Sequence, residues 1–519
     1  MKKVYVDGET LTIEDVVAVA RHNAKAEIPK KVRDKVNKCR SFLERLVKEK
    51  RVVYGVTTGF GALGNITIPL RDMRELQSNL IRSHSTGVGK PLDRDIVRAM
   101  MLLRVNTLAK GYSGIRLETL ETLVHMLNEH VHPIVPEKGS VGASGDLAPL
   151  SHMTLVMMGE GQAEYKEKVM SGREALRKAG IQPVKLDVKE GVALNNGTQF
   201  MTAIAALTIY DAERLVKAAE VAAALSLEAL VGISDAFDER IHRARPHNGQ
   251  ITGAHNIRLL TAGSKLITSG EKAAKRGMYP QDPYSLRCAP QVLGAVRDAL
   301  GYVRKVIETE INSATDNPLV FAEDKVCLSG GNFHGQPVAL AMDILGIALT
   351  TVGNIAERRI ARLIDENLSR GLPAFLIYEK AKKGVQSGFM TVQCTAAALA
   401  SENKVLAHPA SVDSIPTSAN FEDFVSMGPM AARKVMEILH NVEYIVAIEL
   451  LCAAQGVDFR GPEKLGKGTK AAYSLVRKRV PPLKKDRAMY EDIETLKDLI
   501  RSGDLLKAME KTAGMPQNT

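Results

Sequence analysis

Long apolar stretches with helical spacing are the feature that most restricts the fold of this chain. An almost continuous Ala-, Leu- and Val-rich pattern covers residues 198–233, and further long patterns cover residues 299–313, 335–363, 391–405 and 428–455. Because apolar residues lie nearly all round these stretches, we expect long buried helices and burial between subunits. The sequence therefore predicts an all-α, mainly helical fold built on a central bundle of long helices.

The remaining segments predict a smaller N-terminal lobe. Strands are expected to be few and short, and polar loops marked by Gly and Pro are expected over residues 278–287 and 413–423. We expect an N-terminal lobe over residues 1–200 that carries active-site loops, and the helix bundle with a C-terminal helical cap over residues 201–519. Shorter helical patterns in the lobe cover residues 72–83, 93–110 and 117–131.

Composition fits a globular protein. The chain has 519 residues, 45% of them apolar, and its start lacks the apolar segment of a signal peptide. The most apolar later stretch is residues 338–354. Because Asp343 interrupts that stretch and charged residues follow it, a buried helix is favoured over a membrane span. We expect a cytoplasmic protein without a membrane partner.

Cysteine usage and charge predict neither a metal site nor a nucleic-acid site. The five cysteines are far apart and lack CxxC spacing, so we expect buried thiols and no metal. The net charge of +11 is spread, and its local excesses at residues 30–51 and 477–487 alternate with acids or helix-spaced apolar residues. Solvated helix faces explain this pattern better than a nucleic-acid partner. A non-catalytic basic scaffold that binds nucleic acid is the alternative from another functional class.

A turn of small residues at positions 139–150 leads into a predicted helix. Glycines spaced three apart surround Ala143, Ser144 and Gly145, and the apolar helical pattern that follows places Asp146 in the first turn of the helix. One interpretation is a simple capped loop. A phosphate cradle is a second interpretation, but no Lys-Ser/Thr pair follows the last glycine, and Asp146 would repel an anion.

A third interpretation is chemical. With no bulk in the way, the Gly145 nitrogen can attack the Ala143 carbonyl carbon and close a five-membered ring with loss of water. Dehydration of Ser144 then leaves an exocyclic alkene, which makes the group a 4-methylideneimidazol-5-one. A helix N-terminus behind the ring would make this alkene more electron-poor. The residues by themselves do not choose among the three interpretations.

Residues 142–153 resemble the signature of the histidine, phenylalanine and tyrosine ammonia-lyase family, whose Ala-Ser-Gly triplet makes this prosthetic group from its own backbone. Further similar blocks extend from Val53 to Arg460, so the resemblance covers most of the chain. It implies a carbon–nitrogen lyase with a fumarase/aspartase-like helical fold that acts on a small amino acid. It also implies a homotetramer with shared active sites and no external cofactor.

The resemblance implies a base and a carboxylate clamp. Tyr54, in the segment Tyr-Gly-Val-Thr-Thr-Gly-Phe-Gly, matches the family's catalytic tyrosine loop, and it would remove the β-hydrogen if nearby positive charge stabilised its phenolate form. Packing of its ring is the simpler alternative. Arg287 matches the substrate clamp, with Gln281 and Tyr284 in the same wall and Tyr284 assisting proton transfer. Without the matching segment, a charge on the protein surface would be the simpler explanation for Arg287.

Two further residues match family blocks. Asn196, in Asn-Asn-Gly-Thr-Gln, would orient the oxygen of the prosthetic group or the substrate carboxylate, although Asn-Gly is also an ordinary turn. Phe333, in Gly-Gly-Asn-Phe-His-Gly, would shield the ring from water, and a buried structural aromatic is the competing explanation.

The resemblance also bears on the substrate. Ser83 and His84 occupy the position at which the family sorts side chains, and histidine lyases carry a Ser-His pair there, which can hydrogen-bond an imidazole. Glu422 matches the carboxylate of histidine lyases, although an acid at the start of a helix is the simpler explanation. We therefore expect a histidine ammonia-lyase that forms trans-urocanate.

One block departs from the histidine lyases. Phe421 and Phe424 replace the usual Gln and His on either side of the Glu-Asp pair, which makes this edge of the pocket more apolar. A tyrosine or other aromatic amino acid ammonia-lyase is therefore an alternative, and so is a 2,3-aminomutase that uses the same electrophile.

Overall fold

The computed structural model describes residues 3–378 and 384–515, which are mainly helical. The first helices are α1 (Ile13–His22), α2 (Lys30–Lys48), α3 (Met73–His84), α4 (Arg94–Ala109), α5 (Leu117–Asn128), α6 (Leu147–Met157), α7 (Gly172–Lys178) and α8 (Glu190–Asn195). They are followed by α9 (Gln199–Ala229), α10 (Glu239–Ala244), α11 (Asn248–Leu260), α12 (Gly270–Lys275), α13 (Tyr284–Arg287) and α14 (Ala289–Ile311). The last are α15 (Gln336–Ile364), α16 (Met390–Leu406), α17 (Gly428–Arg460), α18 (Lys467–Arg479), α19 (Tyr490–Arg501) and α20 (Asp504–Ala513).

The chain divides into two compact units. Unit 1 comprises Met1–Tyr210, Val303–Asp343 and Pro409–Arg433, and unit 2 comprises Asp211–Tyr302, Ile344–His408 and Lys434–Thr519. The boundaries fall within the long helices α9, α14, α15 and α17 and in the segment after α16. The lobe boundary expected after residue 200 stays a prediction.

The short strands lie in unit 1. They are β1 (Lys3–Tyr5), β2 (Lys25–Glu27), β3 (Val88–Pro91), β4 (His132–Pro133), β5 (Pro136–Lys138), β6 (Gln162–Tyr165), β7 (Lys168–Ser171), β8 (Leu319–Phe321) and β9 (Val326–Leu328). The pair β1–β2 is parallel, with Lys3 opposite Lys25. The pairs β3–β5 and β8–β9 and the three-stranded sheet β4–β6–β7 are antiparallel.

Local sequence explains the first helices. Thr12 and Asp15 form a reciprocal capping box at the start of α1, and Asn23 ends that helix in the left-handed conformation. Helix α4 is buried without a break from Ile96 to Ala109, although it includes Arg98 and Arg104. A helix that is buried on all sides fits its Met- and Leu-rich sequence.

Unit 2 buries charge in paired form. The guanidinium of Arg359 donates to both carboxylate oxygens of Glu449, at 2.5 and 2.8 Å, and both side chains are inaccessible to solvent. Arg297 makes a comparable pair with Glu220, whose carboxylate also accepts from Asn256. Because an unpaired buried charge costs several kcal/mol, we attribute the burial of these carboxylates to their partners.

The helical prediction is confirmed, with two local corrections. The helix predicted over residues 299–313 begins at Ala289, because the first turn accepts Pro290 and the buried register already starts at Ala289 and continues at Leu293. The loop predicted over residues 278–287 contains the short helix α13 after Pro283.

One helix in the described part of the chain, α15, is long and apolar enough to cross a membrane. In its most apolar window, 67% is buried inside the protein. This burial agrees with the prediction that the stretch forms a helix in the core.

Candidate active site

The Ala143, Ser144 and Gly145 turn is held against a second turn in unit 1. Gly145 has φ +69°, and a Cβ on it would lie 2.2 Å from the carbonyl oxygen of Gly197. Gly145 and Gly197 form an isolated parallel bridge, and the Asp146 N–H donates to the Gly197 oxygen at 2.6 Å. Only glycine combines this backbone conformation with so close an approach.

Asp146 caps a different helix from the one predicted. It is the N-cap residue of α6, but its side chain makes no capping bond to that helix. Its Oδ2 instead accepts from the N–H groups of Phe200 and Met201 in the first turn of α9, both at 3.0 Å. Complete burial raises the pKa of Asp146 to about 7. The carboxyl therefore ties the turn to the start of α9.

Asn196 contacts the turn directly. Its Nδ2 donates to the carbonyl oxygen of Ser144 at 2.9 Å. Its Oδ1 is buried and has no hydrogen-bond partner among the described residues. A buried acceptor without a partner is costly in a native protein, so this oxygen is available to a ligand.

Glu422 lies across from the turn. Its Oε1 accepts from the Ser144 hydroxyl at 2.7 Å, and its Oε2 accepts from the Thr417 hydroxyl at 2.8 Å. The next long helix, α17, does not begin until Gly428. Glu422 is therefore a loop carboxylate at the candidate site and not an acid in the first turn of a helix.

Tyr54 lies in a glycine-rich loop that fixes its ring. Its hydroxyl oxygen accepts from the Gly61 N–H at 2.8 Å. A Cβ on Gly64 would lie 2.8 Å from the ring, so the loop packs closely on it. An N–H donor at this position stabilises negative charge that develops on the phenol oxygen.

Ser83 and His84 form a hydrogen-bonded pair at the end of α3. The Ser83 hydroxyl donates to the Leu80 carbonyl oxygen at 3.1 Å and lies 3.0 Å from His84 Nδ1. Since the single hydroxyl hydrogen is used on Leu80, His84 Nδ1 is assigned as the donor to Ser83, which leaves a lone pair on Nε2. Burial lowers the pKa of His84, which favours this neutral form.

Most of the predicted residues line a cavity of about 520 Å³, and an adjoining space of about 230 Å³ adds Ser83 and Gly145. The volume suits a small ligand. Phe421 and Phe424 lie on its rim and are 59% and 62% exposed. The predicted site residues that line the larger cavity are Tyr54, His84, Ala143, Ser144, Asn196, Phe333 and Glu422.

Three predicted residues line neither of these two spaces. Gln281, Tyr284 and Arg287 lie at α13 in unit 2. Tyr284 is 71% exposed, and the Arg287 guanidinium lies 4.8 Å from the centre of its ring. Arg287 Nε is buried without a hydrogen-bond partner in the ranges that the structure describes.

The sequence patterns do not single out some of the residues at the site. Thr417 holds Glu422, and Phe60 lines the cavity beside Tyr54. Arg104 donates to the Asn196 carbonyl oxygen at 2.8 Å. A signal for Arg104 was present, because it stands alone within the apolar run Met-Met-Leu-Leu-Arg-Val, where a surface arginine would not be expected.

Known proteins match this chain along its length. The family model described as aromatic amino acid lyase matches residues 11–478. The histidine ammonia-lyase of Alkaliphilus oremlandii is 56% identical over 512 residues, which cover 98% of this chain and 99% of that relative. The solved histidine ammonia-lyase from Trypanosoma cruzi has a TM-score of 0.90 at 43% identity, covering 98% of this chain and 95% of the other. The tyrosine aminomutase from Streptomyces globisporus has a TM-score of 0.94 at 42% identity, covering 98% and 99%. The chain belongs to the aromatic amino acid lyase family.

Proposed function

We propose that this protein is a histidine ammonia-lyase, which eliminates ammonia from L-histidine and releases trans-urocanate. Relatives with this name are 50% to 56% identical over nearly the whole chain. The observation that carries the proposal is the position of His84, which lines one cavity together with Ser144 and Glu422. Its Nε2 lone pair can accept a hydrogen bond from the imidazole N–H of a histidine substrate.

The turn fits a methylideneimidazolone formed from Ala143, Ser144 and Gly145. The residue that must supply the ring nitrogen, Gly145, has no side chain, and the hydroxyl that must leave is hydrogen-bonded to Glu422 at 2.7 Å. Asn196 already donates to the oxygen that would become the ring carbonyl. When formed, the group supplies an electrophilic carbon that turns the substrate amine into a leaving group.

Tyr54 is the proposed base for the β-hydrogen of the substrate. Tyr54 lines the cavity, and its hydroxyl oxygen accepts a hydrogen bond from the Gly61 N–H at 2.8 Å. To take the β-hydrogen Tyr54 acts as a phenolate, and it becomes a neutral phenol when the proton arrives. A hydrogen bond to a charged acceptor is about twice as strong as one to a neutral acceptor, so the Gly61 N–H stabilises the phenolate that serves as the base.

Glu422 and Asn196 orient the substrate polar groups. Glu422 loses its Ser144 donor once that hydroxyl has left as water, and Oε1 can then accept from the substrate amine or imidazole. The Asn196 Oδ1 without a partner offers a second acceptor. Phe333 covers the wall of the same cavity and excludes water from it.

The carboxylate of the substrate requires a cation, which we assign to Arg287 of another subunit. A guanidinium grips a carboxylate through two parallel hydrogen bonds. Tyr284 is largely exposed in the single chain and stacks on Arg287. A homotetramer in which α13 of one copy completes the cavity of another would bring Gln281, Tyr284 and Arg287 to the substrate.

A comparison of substrates tests the proposal. Purified protein is incubated with histidine and, separately, with tyrosine, and the conjugated acid is followed by ultraviolet absorbance together with release of ammonia. We expect urocanate from histidine at a rate well above any product from tyrosine. Preference for tyrosine would support the role of Phe421 in an aromatic amino acid lyase, and a β-amino acid product would indicate a 2,3-aminomutase. Either result would contradict the proposal.

A further inference from the structure

Arg104 on α4 is buried behind the candidate site. Its side chain is fully inaccessible to solvent, and Nη1 donates to the Asn196 carbonyl oxygen and to Gln199 Oε1, both at 2.8 Å. Nη2 donates to the carbonyl oxygen of Ala193. Because Ala193 lies near the end of α8 and Gln199 begins α9, one guanidinium joins the two helices that flank Asn196.

The charge of Arg104 has no carboxylate partner within hydrogen-bond distance in the described ranges. The charge of Asp316 acts on it from farther away, and Asp316 is already paired with the buried Lys189 at 2.8 Å. Burial lowers the pKa of Arg104 to about 10, so the side chain remains a cation near neutral pH. One buried positive charge therefore lies behind the turn.

The same guanidinium packs on Gly197. A Cβ on Gly197 would lie 2.4 Å from Arg104 Nη1. Gly197 in turn bridges Gly145 and accepts from the Asp146 N–H. A continuous set of contacts thus runs from Arg104 through Gly197 to Gly145, beside the second set that runs through Asn196 to Ser144.

We propose that Arg104 is a positioning residue that fixes Asn196 and Gly197 against the 143–145 turn. Its three acceptors are all neutral, so the side chain is held by its fit to this junction and not by an ion pair. Loss of the guanidinium would remove the donor that holds the Ala193 and Asn196 carbonyl oxygens and Gln199 Oε1. Asn196 would then lose the support that aims its Nδ2 at Ser144. A displacement of about 1 Å at such a group is enough to lower turnover about 10²-fold.

Arg98 provides a matched control on the same helix. It is also almost completely buried, and its guanidinium donates to the carbonyl oxygens of Val19 and Leu127. It does not line the candidate cavity. Arg98→Met therefore removes a buried cation from α4 without touching the site.

The experiment compares Arg104→Met, Arg104→Lys and Arg98→Met in the full chain. The readouts are the unfolding temperature, the fraction of chains whose intact mass has lost two waters, and kcat and KM for histidine per matured chain. We expect Arg104→Met to lower the matured fraction and to lower kcat about 10²-fold, with KM changed less than about threefold. Arg104→Lys keeps the charge, and its kcat should be about tenfold higher than that of Arg104→Met. Arg98→Met should lower the unfolding temperature but leave kcat and maturation near wild type.

The outcomes are decisive in both directions. Full maturation with unchanged kcat in Arg104→Met would overturn the proposal, and so would equal losses in Arg98→Met. Failure of both Arg104 variants to fold, with Arg98→Met folded, would also overturn a role specific to the site. The inference rests on the proposed function, but the mass measurement does not: if wild-type protein matures and fails to convert histidine, the substrate assignment is wrong while the role of Arg104 is still tested.

Discussion

The hydroxyl of Ser144 donates to the carboxylate of Glu422 across 2.7 Å, although the two residues are 278 positions apart in the sequence. Thr417 holds the other carboxylate oxygen, so Glu422 is fixed before any substrate arrives. In the proposed formation of the prosthetic group, the oxygen atom that must leave is thus hydrogen-bonded to a carboxyl group.

Ser144→Ala removes the hydroxyl and therefore the alkene. We expect the mass of the variant to equal that of the unmodified peptide, and we expect activity on histidine to fall by more than about 10³-fold, because covalent activation of the amine is lost. Mass spectrometry and a urocanate assay measure both effects. Ser474→Ala removes an exposed helix serine and should match wild type. A Ser144→Ala protein with normal turnover would contradict the assignment.

Tyr54→Phe keeps the ring and removes the oxygen that accepts from Gly61. Loss of a general base lowers kcat by about 10² to 10⁴-fold, with little change in KM. Steady-state kinetics on matured protein measure the effect, and the exposed Tyr5→Phe serves as a control that should change neither constant. A loss expressed only in KM would indicate that Tyr54 binds substrate without acting as the base.

His84→Leu tests recognition of the imidazole. The variant removes the lone pair on Nε2, and a substrate N–H buried without a partner costs about 1–3 kcal/mol, so kcat/KM for histidine should fall about tenfold to 10²-fold. The same change should affect tyrosine much less. The ratio of kcat/KM for the two substrates is the measurement, and an unchanged ratio would remove His84 from the specificity pocket.

Gly145→Ala should prevent folding of the turn. The left-handed backbone costs about 1–2 kcal/mol for any other residue, and the added Cβ would also meet the Gly197 oxygen at 2.2 Å. Gly180 has a similar φ of +72° but nothing within 4 Å of its virtual Cβ. Gly180→Ala should therefore show the backbone cost alone. Urea unfolding and intact mass separate the two variants, and equal stability with normal maturation of Gly145→Ala would refute the role of this contact.

His132 makes the fold sensitive to acid. Burial, with a further contribution from nearby Arg98, lowers the pKa of His132 to about 3, and its Nε2 lies 3.1 Å from Arg98 Nη1. The unfolded chain binds this proton near pH 6.5 and the folded chain does not. Stability present above pH 6.5 is therefore lost as the pH falls toward 3, by up to about 1.4 kcal/mol per pH unit.

His132→Gln keeps an acceptor for Arg98 and removes the titration. Its free energy of unfolding should fall less steeply than that of wild type between pH 6.5 and pH 4, as measured by urea unfolding. The exposed His22→Gln should keep the wild-type slope. Identical slopes for wild type and His132→Gln would show that other groups govern the acid response.

Much of the site could be predicted because it is built from local motifs. Glycine-rich turns, the Tyr54 loop and the Ser83–His84 pair each lie within one short segment, and the structure brings their matched residues to one cavity. The roles of these residues stay predictions. The helices could also be predicted from apolar spacing, because α9 and α17 bury nearly every side of their surface.

Other features depend on contacts that a linear pattern does not contain. The buried state of Arg104 follows from the carbonyl groups of α8 and a glycine that leaves room for the guanidinium. The sequence pattern places Asp146 in the first turn of α6, yet its carboxylate accepts from the N–H groups of Phe200 and Met201 in α9. Arg287 is not among the residues that line the cavity, and its contact with the substrate of another subunit stays a proposal.

Two hydrogen-bonded contacts of Asp146 hold the two ends of the segment from α6 to α8 together. The Asp146 N–H donates to the Gly197 oxygen, and the Asp146 carboxylate accepts from the first turn of α9, so both ends of the segment lie at one place. The segment is exposed at the β6–β7 turn, at Lys166 and Glu167. The free energy of loop closure rises by only about 0.6 kcal/mol for each doubling of loop length, so a peptide tag inserted at this turn would lengthen the segment without shifting its two ends.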